Sequence, residues 1–387
     1  MPPIGIHDIA FATTHYVLDL DELARYRRVD PAKYHLGLGQ DTMSFPAVDE
    51  DIVTMAATAA APILQRHGSD KLRTLLLATE TGVDQSKAAA LYLHPLLDLP
   101  STTRIVELKQ ACYSGTAALQ FAAGLISRDP TEQVLIIATD IARYDLDSPG
   151  EPTQGAAAVA MLVTAEPAML QLDSPSGVYS DDVMDFWRPN HRTTALVDGK
   201  LSISTYLDAT SRAWTDYRAR GGRGLDDFRA FCYHLPYTAM ARKAHDNLLR
   251  TVGVEWEPER VTAAIEDSTR YNRLVGNSYT ASLYLGFISL LDHAPDLTGQ
   301  PVAFFSYGSG CVCECFSGTV QPGYRQHLRT ADNKERIAAR TPISYFRYRA
   351  MHSDRARYPS NLTFDQDTGG PYRLTEIIDN KRTYQKV

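Results

Sequence analysis

The sequence predicts an α/β fold in which two similar halves each hold an internal sheet covered by helices. Short apolar runs alternate with helical segments along the first half, which is typical of strands buried on both faces. The second half repeats this alternation. Because both halves place polar residues directly after apolar strands, we expect an internal duplication, although no residue-level repeat is visible.

In the first half, the helices are predicted over 84–94 and from Tyr113 to about residue 126. The corresponding strands are predicted over 74–78, 104–111, 134–139 and 156–163. Apolar runs set the bounds of the strands over 74–78, 134–139 and 156–163, and the helix after Tyr113 is predicted from small and apolar residues on its buried side.

In the second half, Asn277 and Ser278 are N-cap residues for a long apolar helix. An earlier helix is expected after a strand over 228–233, and the turn 308–310 should connect strands over 302–307 and 311–320. We therefore predict two similar halves over 1–170 and 171–387. The charged, Arg- and Tyr-rich segment from about residue 324 is expected to form a surface tail or cap.

Length and composition indicate an ordinary folded protein of the cytoplasm. The chain has 387 residues, of which 44% are hydrophobic and 22% charged, and its net charge is -7. We expect no nucleic-acid partner, because no basic cluster alternates with aromatic residues. We expect no membrane partner, because the start does not resemble a signal peptide and no apolar run is long enough to span a bilayer.

The cysteines do not predict a metal site. Cys311, Cys313 and Cys315 alternate along one predicted strand. Residues two apart in a strand are separated by about 6.6 Å, which is too far for three sulfurs to share one tetrahedral zinc. We expect instead a buried strand with small side chains, and no metal.

Three polar residues follow apolar strands: Glu80, Cys112 and His234. Cys112 lies at a strand-to-helix corner, where the unpaired N–H groups of the first helical turn favour a thiolate. Each residue also has a structural interpretation: a buried small hydrophobe for the cysteine, a cap for the carboxylate, and a core or loop residue for the histidine. Together they supply a nucleophile, a carboxyl acid/base and an imidazole, the groups needed for acyl transfer with carbon–carbon bond formation.

The motifs around these residues resemble those of the 3-hydroxy-3-methylglutaryl (HMG) synthase family. The resemblance runs in family order from about residue 5 to 320. It is carried by Thr-Glu-Thr-Gly at 79–82, Gln-Ala-Cys-Tyr at 110–113, Tyr-His-Leu-Pro-Tyr at 233–237, and the segments 138–144, 150–155, 183–189, 276–279 and 306–310. The resemblance implies the thiolase fold, a duplicated layered αβαβα architecture, and a homodimer.

The resemblance also implies roles for individual residues. Cys112 would accept an acetyl group from a thioester, Glu80 would remove a proton from its methyl group, and His234 would hold the carbonyl of the acceptor. The N–H groups of Cys112 and Ser309 would stabilise oxyanions, and Asn277 would bind the acceptor thioester. The substrates are acyl thioesters, and no cofactor is implied. Further pocket or supporting residues are expected at Asp140, Tyr144, Gly155, Asp185, Tyr206 and Pro236.

The family has two branches, which differ in the carrier of the acceptor. Ser114, Ala239 and Cys311 resemble the branch that acts on acyl carrier proteins in polyketide β-branching, and Ala239 falls where the coenzyme A branch usually has a phosphate-binding lysine. The segments 150–155 and 183–189 resemble actinobacterial enzymes of the mevalonate pathway instead, and Lys243 is the expected contact for a phosphate.

We favour the carrier-protein branch on these residues, with coenzyme A thioesters as the alternative. A non-catalytic thiolase-like binding protein and a decarboxylating ketosynthase are further alternatives. Retention of Glu80, Cys112 and His234 argues against the first, and the lack of a Gly-His-Pro motif near the C-terminal end argues against the second.

Overall fold

The computed structural model describes residues 3–354 and 359–387. Its N-terminal half alternates strands and helices much as the apolar runs predict. The elements are β1 (Gly5–Thr13), β2 (Tyr16–Asp19), α1 (Leu20–Arg27), β3 (Thr42–Phe45), α2 (Ile52–His67), β4 (Leu72–Ala78), α3 (Leu93–Leu96), β5 (Arg104–Leu108), α4 (Ser114–Arg128), β6 (Gln133–Ile141) and β7 (Ala156–Thr164).

The C-terminal half repeats the alternation and ends in the predicted pair of strands around a tight turn. The elements are β8 (Leu170–Leu172), β9 (Gly177–Ser180), β10 (Phe186–Trp187), β11 (Leu196–Val197), α5 (Gly199–Ala219), β12 (Ala230–Tyr233), α6 (Met240–Val252), α7 (Pro258–Val275), α8 (Ser282–His293), β13 (Pro301–Gly308) and β14 (Val312–Val320).

The strand order shows the duplication that the sequence only suggests. In the first half the order is β4–β6–β7–β1, and in the second it is β12–β13–β14–β8. In both, the first pair is parallel and the next two pairs are antiparallel. Strands β1 and β8 pair through Gly5 with Gln171 and Ile6 with Leu170, which joins the halves into one sheet. The boundary at residue 170 stays a prediction, since β8 contacts strands of both halves.

Helices cover the sheet in the five layers of an αβαβα arrangement. Alternate residues of β6 face different helix layers. Val134, Ile136 and Ala138 pack against α4 and α8 in the central helix layer, whereas Leu135 and Ile137 pack against α2 in an outer helix layer. On the opposite side, α5 and α6 cover β12, β13 and β14. These strands are buried along nearly their whole length because both of their faces are covered by helices. Among the described residues, no helix combines the length and the apolar character of a membrane span.

The helix predicted over 84–94 forms only in part. A turn of 3-10 helix (Ala89–Tyr92) leads into the four-residue α3, and the preceding residues are a loop. The Asp84 carboxylate accepts hydrogen bonds from the backbone N–H groups of Ser86 and Lys87, both at 2.8 Å. This local turn competes with a helical start at Asp84.

The C-terminal segment is not the surface tail that its composition predicts. Its elements are α9 (Thr330–Ala338), β15 (Thr341–Pro342), α10 (Tyr345–Asp354), β16 (Leu362–Thr363), β17 (Tyr372–Ile378) and β18 (Lys381–Lys386). Strand β15 pairs with β2, and the buried Tyr348 hydroxyl donates to Glu151 at 2.9 Å. Many of its charges and phenols therefore bind the N-terminal half instead of water, which composition alone does not reveal.

An ion pair of Arg329 with Asp8 connects this segment to β1. The Arg329 guanidinium donates to both carboxylate oxygens of Asp8, a pair with 7% and 0% of the side chains exposed. Arg66 and His67 also contact this carboxylate. Removing charged groups from water costs free energy, and only the attraction between the paired charges offsets this cost. The Asp8 carboxylate therefore needs Arg329, and the C-terminal segment is held against β1.

Replacing Arg329 by Met keeps the length of the side chain but leaves the Asp8 carboxylate without its main partner. We expect the free energy of unfolding to fall by about 3–5 kcal/mol, the usual cost of breaking a buried pair. Urea denaturation measures this change. Arg212→Met is the matched control, because the Arg212–Asp208 pair is exposed on α5 and should contribute less than about 1 kcal/mol. Equal effects of the two substitutions would contradict the proposed anchoring role.

Candidate active site

Cys112 and Glu80 form a direct hydrogen bond just beyond the ends of two neighbouring strands. Strands β4 and β5 are parallel and pair through Ala78 and Leu108 at their last residues, so the segments that follow them lie side by side. The thiol of Cys112 donates to Oε1 of Glu80 at 3.0 Å. The nucleophile and the carboxyl group predicted from the sequence therefore form one unit.

The electrostatics of this pair differ from the sequence-based expectation. Burial raises the pKa of Glu80 to about 8, with Asp140 adding to the rise while the hydrogen bond from Cys112 and the charge of Arg188 oppose it. Burial and then the charge of Glu80 raise the pKa of Cys112 well above its ordinary value. The expected thiolate is wrong for the free site, because burial and two carboxyl groups outweigh a helix that begins only at Ser114.

Asp140 holds the Glu80 segment in place. Its Oδ1 accepts hydrogen bonds from the hydroxyl groups of Thr79 and Thr81 and from the backbone N–H groups of Glu80 and Thr81, at 2.6–3.0 Å. Its Oδ2 accepts from the N–H of Thr280 at 3.0 Å and from the Thr280 hydroxyl. All of its contacts are with the protein, which indicates a positioning role.

The corner that carries Cys112 is fixed from both sides. The hydroxyl of Ser114 accepts from the N–H of Gln110 and donates to the carbonyl of Ala111 at 3.0 Å. The Gln110 side chain also donates to the carbonyl of Ser309 at 3.2 Å. The structure thus brings the predicted oxyanion donor Ser309 against the Cys112 corner.

Asp185 supports the turn that contains Ser309. Its carboxylate accepts from the Tyr307 hydroxyl at 2.8 Å and from the N–H of Gly310 at 3.0 Å. The side chain is completely buried. Because both oxygens already bind the β13–β14 turn, the structure places Asp185 behind this turn and not among groups that face a substrate.

Asn277 reaches the site through a backbone-to-backbone contact between the halves. Its N–H donates to the carbonyl of Thr153 at 3.0 Å, and its Oδ1 accepts from the N–H of Tyr279 at 2.9 Å. A Cβ on Gly155 would lie 2.4 Å from the carbonyl oxygen of Val275, so only glycine fits there. The structure places Gly155 at this contact between the halves.

Tyr144 lies close to the catalytic pair and is held by residues that the sequence analysis did not single out. Its N–H donates to Oε1 of Gln154 at 2.9 Å. The same oxygen bonds His352 at 3.2 Å, and the amide nitrogen of Gln154 donates to Tyr348 at 2.9 Å. Burial raises the pKa of Tyr144, and the charges of Cys112 and Glu80 add to this rise. The C-terminal helix α10 therefore helps to position Tyr144.

His234 is a buried, neutral imidazole. Burial lowers its pKa to about 3, and its Nδ1 has no hydrogen-bond partner among the described residues. The hydroxyl of Tyr206 donates to the carbonyl of His234 at 2.9 Å, so Tyr206 fixes the backbone that carries the ring. Pro236 follows in a half-buried position. A neutral imidazole in such a place supplies a hydrogen-bond donor without a charge.

Lys243 lies away from this buried cluster, on the exposed surface of α6. Its ammonium group donates to the Tyr237 hydroxyl at 3.0 Å. Ala239 precedes the first residue of α6, one turn before Lys243. The lysine therefore occupies the outer end of the segment that follows His234.

A cleft of about 1120 Å³ opens beside Glu80. Its lining includes positive side chains from several segments, of which sequence reasoning singled out none: Lys87, Lys109, Arg143, Arg188, Arg192 and Arg382. Arg188 falls within the motif at 183–189, so a systematic check of charged residues in the motifs would have found it. Carboxyl groups line the same cleft, and Arg382 and Arg192 are paired with Asp51 and Asp145. The arrangement thus offers a hydrogen-bonded thiol and carboxyl group, a neutral imidazole, and a cleft of mixed charge beside them.

Comparisons with known proteins agree with this geometry. Family models described as hydroxymethylglutaryl-coenzyme A synthase N terminal and C terminal match residues 2–168 and residues 170–265 and 246–385. Hydroxymethylglutaryl-CoA synthase of Enterococcus faecalis is 41% identical over 99% of both chains. A polyketide biosynthesis 3-hydroxy-3-methylglutaryl-ACP synthase of Bacillus subtilis is 33% identical over 88% of this chain and 86% of its own length.

Solved structures show the same relationship. A crystal structure of an HMG-CoA synthase complexed with CoA aligns with a TM-score of 0.94 and 39% identity over the whole of both chains. The HMG synthase of curacin biosynthesis in complex with its acetyl donor-ACP aligns with a TM-score of 0.93 and 31% identity, also over both whole chains. These matches confirm the predicted thiolase-type α/β fold. The chain belongs to the HMG-CoA synthase family of acyl-transferring enzymes that form carbon–carbon bonds.

Proposed function

We propose that this HMG synthase condenses an acetyl group on Cys112 with the ketone of acetoacetyl-CoA and then hydrolyses the product from the enzyme. The observation that carries the proposal is the hydrogen-bonded thiol–carboxyl pair of Cys112 and Glu80, of which Glu80 is buried and Cys112 partly exposed. One group is the acyl acceptor and the other a base with a pKa of about 8, close to the operating pH.

In the first step, the carboxylate of Glu80 accepts the proton of the Cys112 thiol as the sulfur attacks the thioester carbonyl. The carbon–sulfur bond to coenzyme A then breaks, and Glu80 returns the proton to the departing thiolate. The products are acetyl-Cys112 and free coenzyme A, and Glu80 is again a carboxylate. The hydrogen bond of 3.0 Å is the path for this proton.

In the second step, Glu80 removes a proton from the acetyl methyl group, and the resulting enolate carbon attacks the acceptor ketone. His234 is neutral at any working pH, so it donates a hydrogen bond to the ketone oxygen instead of a full positive charge. The N–H groups of Cys112 and Ser309 face the enolate oxygen, and the amide of Asn277 binds the acceptor thioester. The alkoxide that forms takes up the proton that Glu80 removed, which gives the hydroxyl group and restores the Glu80 carboxylate. Water then attacks the Cys112 thioester as Glu80 accepts one of its protons. The carbon–sulfur bond breaks, that proton passes to the sulfur of Cys112, and the released acid loses its other proton to solvent as a carboxylate.

Coenzyme A is the carrier that we now favour, in contrast to the sequence-based preference for a carrier protein. Two of the three residues behind that preference have structural roles unrelated to the carrier. Ser114 closes the Cys112 corner through Gln110 and Ala111, and Cys311 is buried in the core beneath α5. The 41% identity to an HMG-CoA synthase supports the same choice.

Lys243 supplies the positive charge that is missing at Ala239, the position where the coenzyme A branch usually has a lysine. It lies one turn further along α6, where its exposed ammonium group can reach a phosphate of coenzyme A. The carrier-protein reaction remains the second candidate, because synthases acting with carrier proteins are similar over the whole chain. The two candidates share the chemistry at Cys112 and differ only in the surface that receives the carrier. In either case the proposed location is the cytoplasm, where both carriers are made.

We also propose a homodimer in which β5 of one copy lies beside β5 of another. Strand β5 ends the order of the main sheet, so one of its edges is open for backbone pairing. Val106 on this strand and Phe121 on the neighbouring α4 are 38% and 56% exposed. An open strand edge with exposed apolar side chains favours a second copy of the same chain.

The carrier is tested by offering the acetylated enzyme acetoacetyl-CoA or an acetoacetyl group on a holo carrier protein. We expect a higher kcat/KM with acetoacetyl-CoA, and mass spectrometry should show the acetyl group on Cys112. Lys243→Ala should raise KM for acetoacetyl-CoA about tenfold or more, the effect of losing one charge-assisted hydrogen bond. Lys200→Ala, at the exposed start of α5, is the control. Preference for the carrier protein would establish the second candidate.

The pH dependence tests the catalytic pair. Acetylation needs Glu80 as a carboxylate, and its pKa of about 8 means that the rate constant should be about fiftyfold lower at pH 6 than at pH 8. Glu80→Gln should remove this rise and slow the condensation by about 10²–10⁴-fold. Stopped-flow measurement of coenzyme A release follows the first step. A rate that stays flat between pH 6 and pH 8 would rule out Glu80 as the base.

The dimer is tested by light scattering coupled to size-exclusion chromatography. We expect twice the mass of the chain for the wild type and a monomer for Val106→Lys, because a charge at the paired edge opposes association. Val178→Lys is the matched control, an exposed valine on β9. A wild-type monomer, or an unchanged dimer in the Val106 variant, would exclude this interface.

A further inference from the structure

Three histidines from distant parts of the chain face one another at the surface. His7 lies on β1, His67 ends α2, and His327 ends the 3-10 turn Tyr324–His327 that precedes α9. One ring nitrogen from each lies within 4.8 Å of the other two. Their ring centroids are separated by 4.9 Å, 5.2 Å and 5.9 Å. All three side chains are partly buried, so the cluster is accessible from solvent.

Hydrogen bonds orient the rings of His7 and His67, whereas the buried Nδ1 of His327 lacks a hydrogen-bond partner among the described residues. Nδ1 of His7 bonds the carbonyl oxygen of Glu166 at 2.9 Å, and Nε2 of His67 bonds the Asp8 carboxylate at 2.8 Å. Within the described part of the chain, the opposite nitrogen of each of these two rings has no hydrogen bond. Imidazoles that bind metals are held in the same way, by a carbonyl or carboxylate on the second nitrogen.

The cluster belongs to a different edge of the molecule from the catalytic pair. Gly5 pairs with Thr164, whereas Thr13 pairs with Ala157 at the other end of the same two strands. The Glu80 segment follows strand ends on the Thr13 side. His7 is six residues from Thr13 along β1, a distance of about 20 Å. The cluster is therefore separate from the site that carries the condensation.

We propose that His7, His67 and His327 bind a divalent transition metal, with Zn²⁺ as the preferred ion. Three imidazole nitrogens suit zinc, and the exposed side leaves a fourth position for water. Zn–N bonds of 2.0–2.1 Å place tetrahedral nitrogens about 3.4 Å apart, so the widest pair has to close by about 1.4 Å. Rotation of the half-exposed rings provides this movement.

The charges near the cluster are only partly neutralised, because the single carboxylate of Asp8 pairs with both Arg66 and Arg329. Binding of a cation therefore depends on the three imidazoles. Arg66 and Arg329 both donate to the Asp8 carboxylate, and Arg66 also lies 3.4 Å from the carbonyl oxygen of His327. Asp8 thus holds the nearest guanidinium groups, and its second role is to orient His67. Bound metal would join β1, α2 and the start of the C-terminal segment, and would stabilise the fold in proportion to its concentration over its Kd.

Isothermal titration of the metal-free protein with Zn²⁺ tests the proposal. We expect one equivalent to bind and the thermal midpoint to rise. His7→Ala and His327→Ala should each weaken binding by at least about tenfold, whereas His94→Ala, a partly buried histidine on α3, should leave it unchanged. The two variants change different elements, so misfolding of one leaves the other as a test.

Titration with Co²⁺ identifies the ligands independently. Coordination by imidazoles gives visible d–d bands without thiolate charge-transfer absorption, whereas binding at Cys112 would add the latter. Bands that persist unchanged in both histidine variants, thiolate charge transfer, or no binding of either metal would each overturn the proposal.

Discussion

The buried carboxylate of Asp140 is the contact on which the arrangement of the site depends. It receives hydrogen bonds from the segment after β4 in one half and from Thr280, just before α8, in the other. A carboxylate without solvent is stable only when donors surround it. The donors are backbone N–H groups and threonine hydroxyls of fixed position, so the need to satisfy Asp140 also sets the position of Glu80.

This arrangement explains why the nucleophile rests as a thiol. Cys112 and Glu80 share a buried space that Asp140 makes more negative, and two negative charges in such a space are unfavourable. Near neutral pH Cys112 therefore keeps its proton on sulfur, and Glu80 becomes a carboxylate only as the pH rises through about 8. In the proposed reaction, this carboxyl group with a pKa of about 8 would be the base first for the thiol and then for the acetyl methyl group.

The sequence singles out the three candidate catalytic residues because they follow buried strands, and their roles stay a prediction. Glu80, Cys112 and His234 each interrupt an apolar surrounding, and parallel strands bring the first two together. The protonation of Cys112 was not predictable, since it depends on neighbours 32 and 28 residues away. The C-terminal segment was mistaken for a tail because its partners, such as Asp8 for Arg329, lie more than 300 residues earlier. The histidine cluster was missed for the same reason.

The bonds between Gln154 and α10 have a consequence for the order in which the protein is made. Gln154 holds Tyr144 beside the catalytic pair, and its partner Tyr348 lies 194 residues later in the chain. Cys112, Glu80 and the turn at Gln154 are all synthesised long before Tyr348 leaves the ribosome. The nascent chain therefore carries a nucleophile whose surroundings are incomplete, and the site acquires its final shape only when the last tenth of the polypeptide folds back onto the first half.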